Sequence, residues 1–307
     1  MDGREDEHAS LADRFEAHRG HLRGVAYRML GSLAEADDAV QETWLRLGRS
    51  EAGDIENLTG WLRTVVSRIC LDQLRSAAAR HEEPAGEHLP EPGAAVAGPE
   101  EEVLLADSVG RALLVVLDRL GPAERVAFVL HDLFAVPFDQ IAPVVERTPL
   151  TTKKLASRAR HKVRGTSPLD APTLSAHRHV VEAFLAAARG GDLEALLMVL
   201  APDVVRTADL SALPAGRAAV IRGARAVADE TVLLRRNARF AEPALVDGAV
   251  GLVVAPHGRL LLALVIRVEG DRVAAYEVVA DPARLRALDL AVLGGVPDRP
   301  EGGHAGV

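Results

Sequence analysis

Between His81 and Glu100 the chain loses all hydrophobic periodicity. The run HEEPAGEHLPEPGAAVAGPE holds four prolines, three glycines and five glutamates. That composition neither continues a helix nor fills a core, and it reads as an exposed linker. The segments on its two sides must therefore fold as separate pieces. A second interruption, GTSPLDAPT, follows Arg164. At 307 residues the chain has room for two or three compact units, and 48% apolar residues can build their cores.

Before the first break the pattern is helical. Leu11, Phe15, Leu22, Val25 and Met29 recur at helical spacing after Ser10, a candidate cap, and stop before Gly31. Ser32-Leu-Ala-Glu35 has the form of a capping box, opening a helix with Val40, Trp44 and Leu47 on one face. A further helix is predicted from about Gly60 to Arg80. Between the breaks, helical pattern runs from about Glu101 to Leu120 and restarts at Gly121-Pro122. Two short helices follow. Phe138, Ile141, Ala142 and Val145 mark the first; Glu146-Arg147 makes the turn; Thr148 caps the second and Pro149 begins it. This is the sequence shape of a helix-turn-helix.

Charge is distributed by segment. The net of −8 conceals a stretch at 81–107 with eight acidic and no basic residues, next to a stretch at 108–165 of net +5. From Pro149 to Arg164 there are six Lys and Arg and no acid. On a wheel of about 100° per residue, Thr152, Leu155, Ala156, Ala159 and Val163 share one arc. Lys153, Ser157, Arg160 and Arg164 cluster opposite, flanked by Lys154, Arg158 and His161. One face can pack while the other meets a DNA groove. A solvated basic face on an ordinary hairpin is the other reading of the same pattern.

After residue 174 the order changes to helices at about Ser175–Arg189 and Leu193–Leu200, a strand near Val204–Thr207, and a helix near Ala224–Asn237. β-rich runs follow at 244–250, 251–255, 260–268 and 272–279, with turns at His257-Gly258 and Gly270-Asp271. Helices followed by a meander predict an α+β domain. No secretory signal and no long apolar span is read, so the chain is expected to be soluble and cytoplasmic, with no membrane contact. Cys70, alone, cannot form an internal disulfide.

Three stretches resemble the extracytoplasmic-function sigma factors of bacterial RNA polymerase. RGVAYRMLGSLAEADDAVQETWLRL is similar to their domain two, NLTGWLRTVVSRICLDQLRS to the part that melts and reads the minus-ten element. GPAERVAFVLHDLFAVPFDQIAPVVERTPLTTKKLASRARHKVRG is similar to domain four, which reads the minus-thirty-five element. The resemblance implies that Asp37, Asp38, Gln41, Glu42 and Trp44 bind core polymerase. It implies minus-ten contacts from Asn57, Trp61, Arg63, Arg68 and Arg75, and minus-thirty-five contacts from Lys153, Lys154, Ser157, Arg158, Arg160 and Arg164. Trp44 and Trp61 also suit plain core roles. The run RSAAARHEE has Ala where the family commonly has Arg.

The end of the chain resembles the SnoaL-like domain, a cone-shaped α+β barrel with a pocket, fused to a subgroup of these factors. The subgroup's W-L-P-E-P motif is met by His88 followed by Leu89-Pro90-Glu91-Pro92, and its N-P-D-K-L motif by Asp281-Pro282-Ala-Arg-Leu285. Asp209 to Arg217 takes the place of a D-G-G-G-R loop. The expected organisation is sigma domain two at 1–80, acidic linker at 81–104, sigma domain four at 105–165, linker at 166–174, SnoaL-like domain at 175–293 and a disordered tail at 294–307. The expected partners are core RNA polymerase and promoter DNA, with an intramolecular contact of the SnoaL-like domain to Leu89–Pro92 through Asp281, Pro282 and Leu285. A small-molecule ligand of the C-terminal pocket is left open. General-base candidates there are His177, Asp203, Asp209, His257 and Tyr276, but no metal set, cofactor or nucleophile motif is read, and the chain is not expected to be an enzyme. The alternative is a ligand-sensing helix-turn-helix regulator that does not bind polymerase, which leaves residues 10–80 without a use.

Overall fold

The structure is a computed structural model that describes residues 2–50, 55–81, 106, 109–213 and 216–294. These fall into two compact units. Residues 2–81 and 117–161 belong to the first, and residues 106–116 and 162–294 to the second. No helix among the described residues is long and apolar enough to cross a membrane.

The first unit opens with α1 (Asp2–Leu30), α2 (Leu33–Arg49) and α3 (Leu58–His81). Phe15, Leu22, Val25 and Met29 of α1 pack with Val40 and Leu47 of α2 and with Leu62, Val66 and Ile69 of α3, all of them buried. Each such side chain contributes about 1.5–3 kcal/mol by leaving water. Ser10 is not a cap: α1 starts at Asp2. The sequence there reads DGREDE, and acidic residues suit a helix N-terminus, so the helix continues ahead of the first apolar position. Gly31, at φ +75°, ends α1, and its N–H donates to the Tyr27 carbonyl at 2.8 Å. Ser32 caps α2 as expected, accepting from the Glu35 N–H at 3.4 Å. Cys70 is buried in α3, where burial pushes its thiol up to about 12.

Helix α4 (Arg111–Asp118) lies within the predicted Glu101–Leu120; Ala106 and Val109 are also helical, and 101–105 and 107–108 lie outside the described residues. Gly110 precedes it at φ +88°, a conformation that breaks a helix. Helix α5 (Pro122–Phe128) runs on into a π-helical turn, Val129–Leu133. Arg125 of α5 is buried and satisfies three partners: the carbonyls of Leu117 at 2.6 Å and Met29 at 2.8 Å, and Asp118 at 2.8 Å. This clip joins α5 to the end of α1. Residues 117–161, most of the 105–165 stretch, therefore share one compact unit with 2–81, while 106–116 and 162–165 belong to the other.

The helix-turn-helix consists of α6 (Phe138–Val145) and α7 (Pro149–Arg164). Glu146 ends α6 in the left-handed region at φ 55°, where a side chain costs about 1–2 kcal/mol relative to glycine. The Arg147 N–H closes the turn on the Ala142 carbonyl at 3.0 Å, and the Thr148 hydroxyl accepts from the Thr151 N–H at 3.2 Å.

In the second unit, α8 (Ala171–Gly190) and α9 (Leu193–Val199) are capped by Asp170 and Asp192. The 166–174 stretch read as a linker thus includes the cap and first turn of α8. Then follow β1 (Leu200–Ala208), β2 (Val220–Arg222), α10 (Ala224–Leu233), α11 (Arg235–Ala238), β3 (Ala241–Val246), β4 (Ala249–Val254), β5 (Leu262–Glu269), β6 (Arg272–Val279), α12 (Pro282–Ala287) and β7 (Leu290–Val292). The strands form one seven-stranded sheet in the order β2-β1-β6-β5-β4-β3-β7, antiparallel except where β1 runs parallel to β6. The predicted 244–250 strand is in fact cut by a tight hairpin turn at Asp247-Gly248, with φ of 51° and 79°. The Gly270-Asp271 turn stands where it was read. Val181, Phe184 and Leu185 of α8, Leu196 of α9 and Val227 of α10 cover a core with Leu252, Val254, Ile266 and Tyr276 from the sheet. A helical part followed by an α+β domain is the expected fold class.

Candidate nucleic-acid interface

Helix α7 buries Thr152, Ala156, Ala159 and Val163 and half-buries Leu155. Lys153, Lys154, Ser157, Arg158 and Arg164 are exposed on the remaining surface. One predicted contact residue differs. Arg160 is ion-paired with Asp132 at 2.7 Å, and the Asp132 side chain is only 13% exposed. The pair fastens α7 to the π-helical turn, so Arg160 has a structural task that the wheel could not reveal. Asp132 lies 28 residues away, beyond any local pattern.

On α3 the predicted minus-ten residues are placed on one element, but most already have partners. Asn57 is the N-cap, its side-chain oxygen accepting from the Gly60 N–H at 2.9 Å. Trp61 is half-buried in the first turn. Arg63 donates to Gln140 Oε1 at 2.7 Å, Arg68 to the Pro143 carbonyl at 3.3 Å, and Arg75 to Glu146 Oε2 at 3.2 Å. All three acceptors lie on α6 or its cap. Sequence reasoning missed Gln140 and Glu146, whose only local signal is a polar side of a short amphipathic helix.

On α2, Asp37, Asp38 and Gln41 are exposed on the side away from buried Ala36, Ala39, Val40 and Thr43. Asp37 pairs with Arg23 at 2.7 Å and Glu42 with Arg46 at 2.9 Å. Trp44 is half-buried against Phe15, ring centroids 5.0 Å apart. Leu45 stands beside it, 44% exposed. An apolar side chain next to an acidic rim is a protein-binding feature, and Leu45 was not singled out because it broke the acidic pattern.

In the second unit the general-base candidates lie on different elements. Tyr276 is buried, its phenol pushed up to about 12 by burial, and its hydroxyl meets that of Thr231 at 3.1 Å. Asp203 lies exposed in β1, not in a loop, and His177 lies within α8, not at a helix start. His257 sits in the turn between β4 and β5 at φ 52°. Asp281 caps α12, accepting from the Arg284 N–H at 2.9 Å, with Pro282 at the first position. Leu285 is buried with Ala263 and Val279. Leu89, Pro90, Glu91 and Pro92 lie outside the described residues.

Asp209 is a lock. Its carboxylate accepts from the N–H groups of Ala280 at 2.9 Å and Asp281 at 3.0 Å, and pairs with Arg284. Burial would raise its pKa, but the Asp281 and Ala280 N–H groups and the Arg284 guanidinium outweigh it and hold the carboxyl below its ordinary value. A depressed folded-state pKa stabilises the domain above the unfolded value of about 3.9, and that stability is lost as pH falls through the folded value. Asp209→Asn should lower the melting temperature at neutral pH and reduce its further fall on acidification below about pH 4. A variant that melts like wild type at both ends of that range would remove Asp209 from this role.

Comparisons with known proteins place the chain in a family. Residues 14–80 match the family model described as sigma-70 region 2. A probable ECF RNA polymerase sigma factor, SigI of Mycobacterium tuberculosis, is 36% identical over 297 residues, covering 94% of this chain and 99% of that protein. The ECF RNA polymerase sigma factor SigJ of the same species is 44% identical over 213 residues, 68% of each chain. The crystal structure of the Mycobacterium tuberculosis extracytoplasmic-function sigma factor SigJ covers 89% of this chain and 98% of its own, at 35% identity and a TM-score of 0.44. The chain belongs to the extracytoplasmic-function (ECF) RNA polymerase sigma factors.

Proposed function

We propose that this chain binds bacterial core RNA polymerase through the outer face of α2 and directs it to promoters read by α3 and α7, with the α+β domain modulating that activity from within the chain. The observation that carries this reading is the division of α7 into a buried apolar face and an exposed face bearing Lys153, Lys154, Ser157, Arg158 and Arg164. Phosphate contacts from such a face give affinity that falls steeply with salt, and one or two side chains suffice to read bases. The chain's part is binding and not catalysis, and its site of action is the cytoplasm, where polymerase is. The experiment is run-off transcription with bacterial core polymerase and genomic promoter fragments. Promoter-specific transcripts support the reading, and their absence under every condition overturns it.

The α3 arginines add a condition. Arg63, Arg68 and Arg75 are hydrogen-bonded to Gln140, the Pro143 carbonyl and Glu146, so these bonds compete with promoter phosphates for the same guanidinium groups. A pair with a phosphate anion is stronger than the bonds of Arg63 and Arg68 to neutral oxygens, whereas Arg75 exchanges one ion pair for another.

The α2 assignment has its own test. Changing Asp37 and Asp38 together to Lys reverses the charge around Trp44 while leaving the buried face untouched. Loss of the exposed Arg23 pair costs about 0–1 kcal/mol of stability, so the variant should stay folded. Holoenzyme assembly should weaken roughly tenfold, because like charges placed across an interface repel. Pull-down on core polymerase measures this, with circular dichroism as the folding control. Normal assembly by the folded variant would move the polymerase contact elsewhere.

A further inference from the structure

We infer that the α+β domain grips both chain segments that connect it to the helix-turn-helix stretch, and that Glu242 is the positioning residue through which it holds α4. This rests on the reading of the chain as a sigma factor controlled from within, and it names where that control is applied.

The first turn of α4 carries no acidic residue, and the N–H groups of a first turn have no partner inside the helix. The Ala112 N–H donates to Glu242 Oε2 at 3.0 Å, across 130 residues of chain. Glu242 Oε1 lies beside Gly110, where a methyl group would stand 3.4 Å from it. A carboxylate at this end of a helix also faces the positive end of its dipole. The rest of the helix is seated on the same domain. Leu114 packs on Gly258 so closely that a methyl group there would come within 2.6 Å of Leu114 Cδ1. The Arg111 guanidinium lies 5.5 Å from the centre of the Phe240 ring. Residues 111 to 117 are all buried, although they include the apolar run Ala-Leu-Leu-Val-Val-Leu.

The outgoing segment is held in the same way. Gly165, at φ +58°, leaves no room for a side chain against Ala291 of β7. The Ser167 hydroxyl donates to the Gly248 carbonyl at 2.6 Å, and Pro168 packs over Gly248 itself. Glu242 is near the start of β3, and Gly248 lies in the turn just beyond its end. One strand thus fastens the chain on its way into the helix-turn-helix stretch and on its way out. Cutting the chain near residue 170 would strip α4 of its cap and uncover its apolar face, so truncation alone cannot separate regulation from unfolding. Single changes at β3 can.

The test uses the full chain and two measurements, hydrogen–deuterium exchange and run-off transcription. Glu242→Ala should speed exchange of the amides at 110–116 roughly tenfold, the equivalent of one lost hydrogen bond to a charged group. Glu242→Gln, which keeps an acceptor without the charge, should lie between this variant and wild type. Gly258→Ala, which pushes Leu114 away while leaving Glu242 intact, should speed exchange in the same segment. Exchange in α3 should not change, whereas exchange at 138–164 and promoter output should. Unchanged exchange at 110–116 in both Glu242→Ala and Gly258→Ala overturns the inference, as does loosening of α4 with neither 138–164 nor transcription affected. If wild type yields no transcript while α4 and 138–164 still loosen together, the grip stands and the sigma reading is what has failed.

Discussion

Arg206→Met should destabilise the α+β domain by about 3–5 kcal/mol, the cost of leaving one member of a buried ion pair without its partner. Arg206 of β1 is 1% exposed and pairs with Glu230 of α10, itself 5% exposed. Its second nitrogen donates to the carbonyls of Ala218 at 3.0 Å and Ala219 at 3.3 Å. One guanidinium therefore ties the sheet to a helix and to the loop entering β2. Removing it leaves the Glu230 carboxylate in a site lined by Tyr276 and Thr231, with no cation to meet. The double change Arg206→Met with Glu230→Leu should cost much less, because a pair replaced whole by apolar groups escapes the desolvation penalty. Urea unfolding of the full chain, wild type against single and double variants, measures both. A single variant within about 1 kcal/mol of wild type would mean that the pair is not the buried tie described.

Lys153→Ala should weaken promoter binding by about 1–3 kcal/mol if its ammonium reads a base, and relax specificity at that position. A phosphate role would instead weaken all sequences alike and reduce the salt slope by about one. Titration of promoter and scrambled duplexes at several salt concentrations separates the two. No change in either affinity or slope would turn this face of α7 towards something other than DNA. Arg160→Ala belongs to a different category. Its pair with Asp132 holds α7 in place, so loss of DNA binding should come with loss of stability. Asp132→Asn loosens the same tie without touching the cationic face, and is the control.

How far the chain could be read in advance depended on where each partner lies. The turn of the helix-turn-helix was legible because Thr148 and Pro149 act on residues three or four positions away. The buried arc of α7 was legible because helical spacing alone sets it. Arg63, Arg68 and Arg75 stand out in the sequence as candidates for DNA contact, but their acceptors in the fold are 71 to 77 residues away, and no spacing rule reaches that far. Arg125 and Arg206, each buried with three acceptors, were not singled out at all, because a single arginine in the sequence looks like any surface charge. The strand predicted at 244–250 failed for a local reason. The Asp-Gly signal for a hairpin was present, and the long apolar run around it concealed it. The α+β fold class survived these errors because it depends on the order of elements and not on their edges.

Cys70 gives this protein a built-in reporter. It is the chain's one thiol, sealed in α3, and with its pKa pushed up to about 12 it holds almost no thiolate at neutral pH. An oxidant meets no accessible thiol while the three-helix body is closed, so thiol oxidation is not how the folded chain would register a signal. The same seal makes alkylation a clock. Each labelled molecule is one whose three-helix body has opened, and the labelling rate counts those openings without any engineered probe.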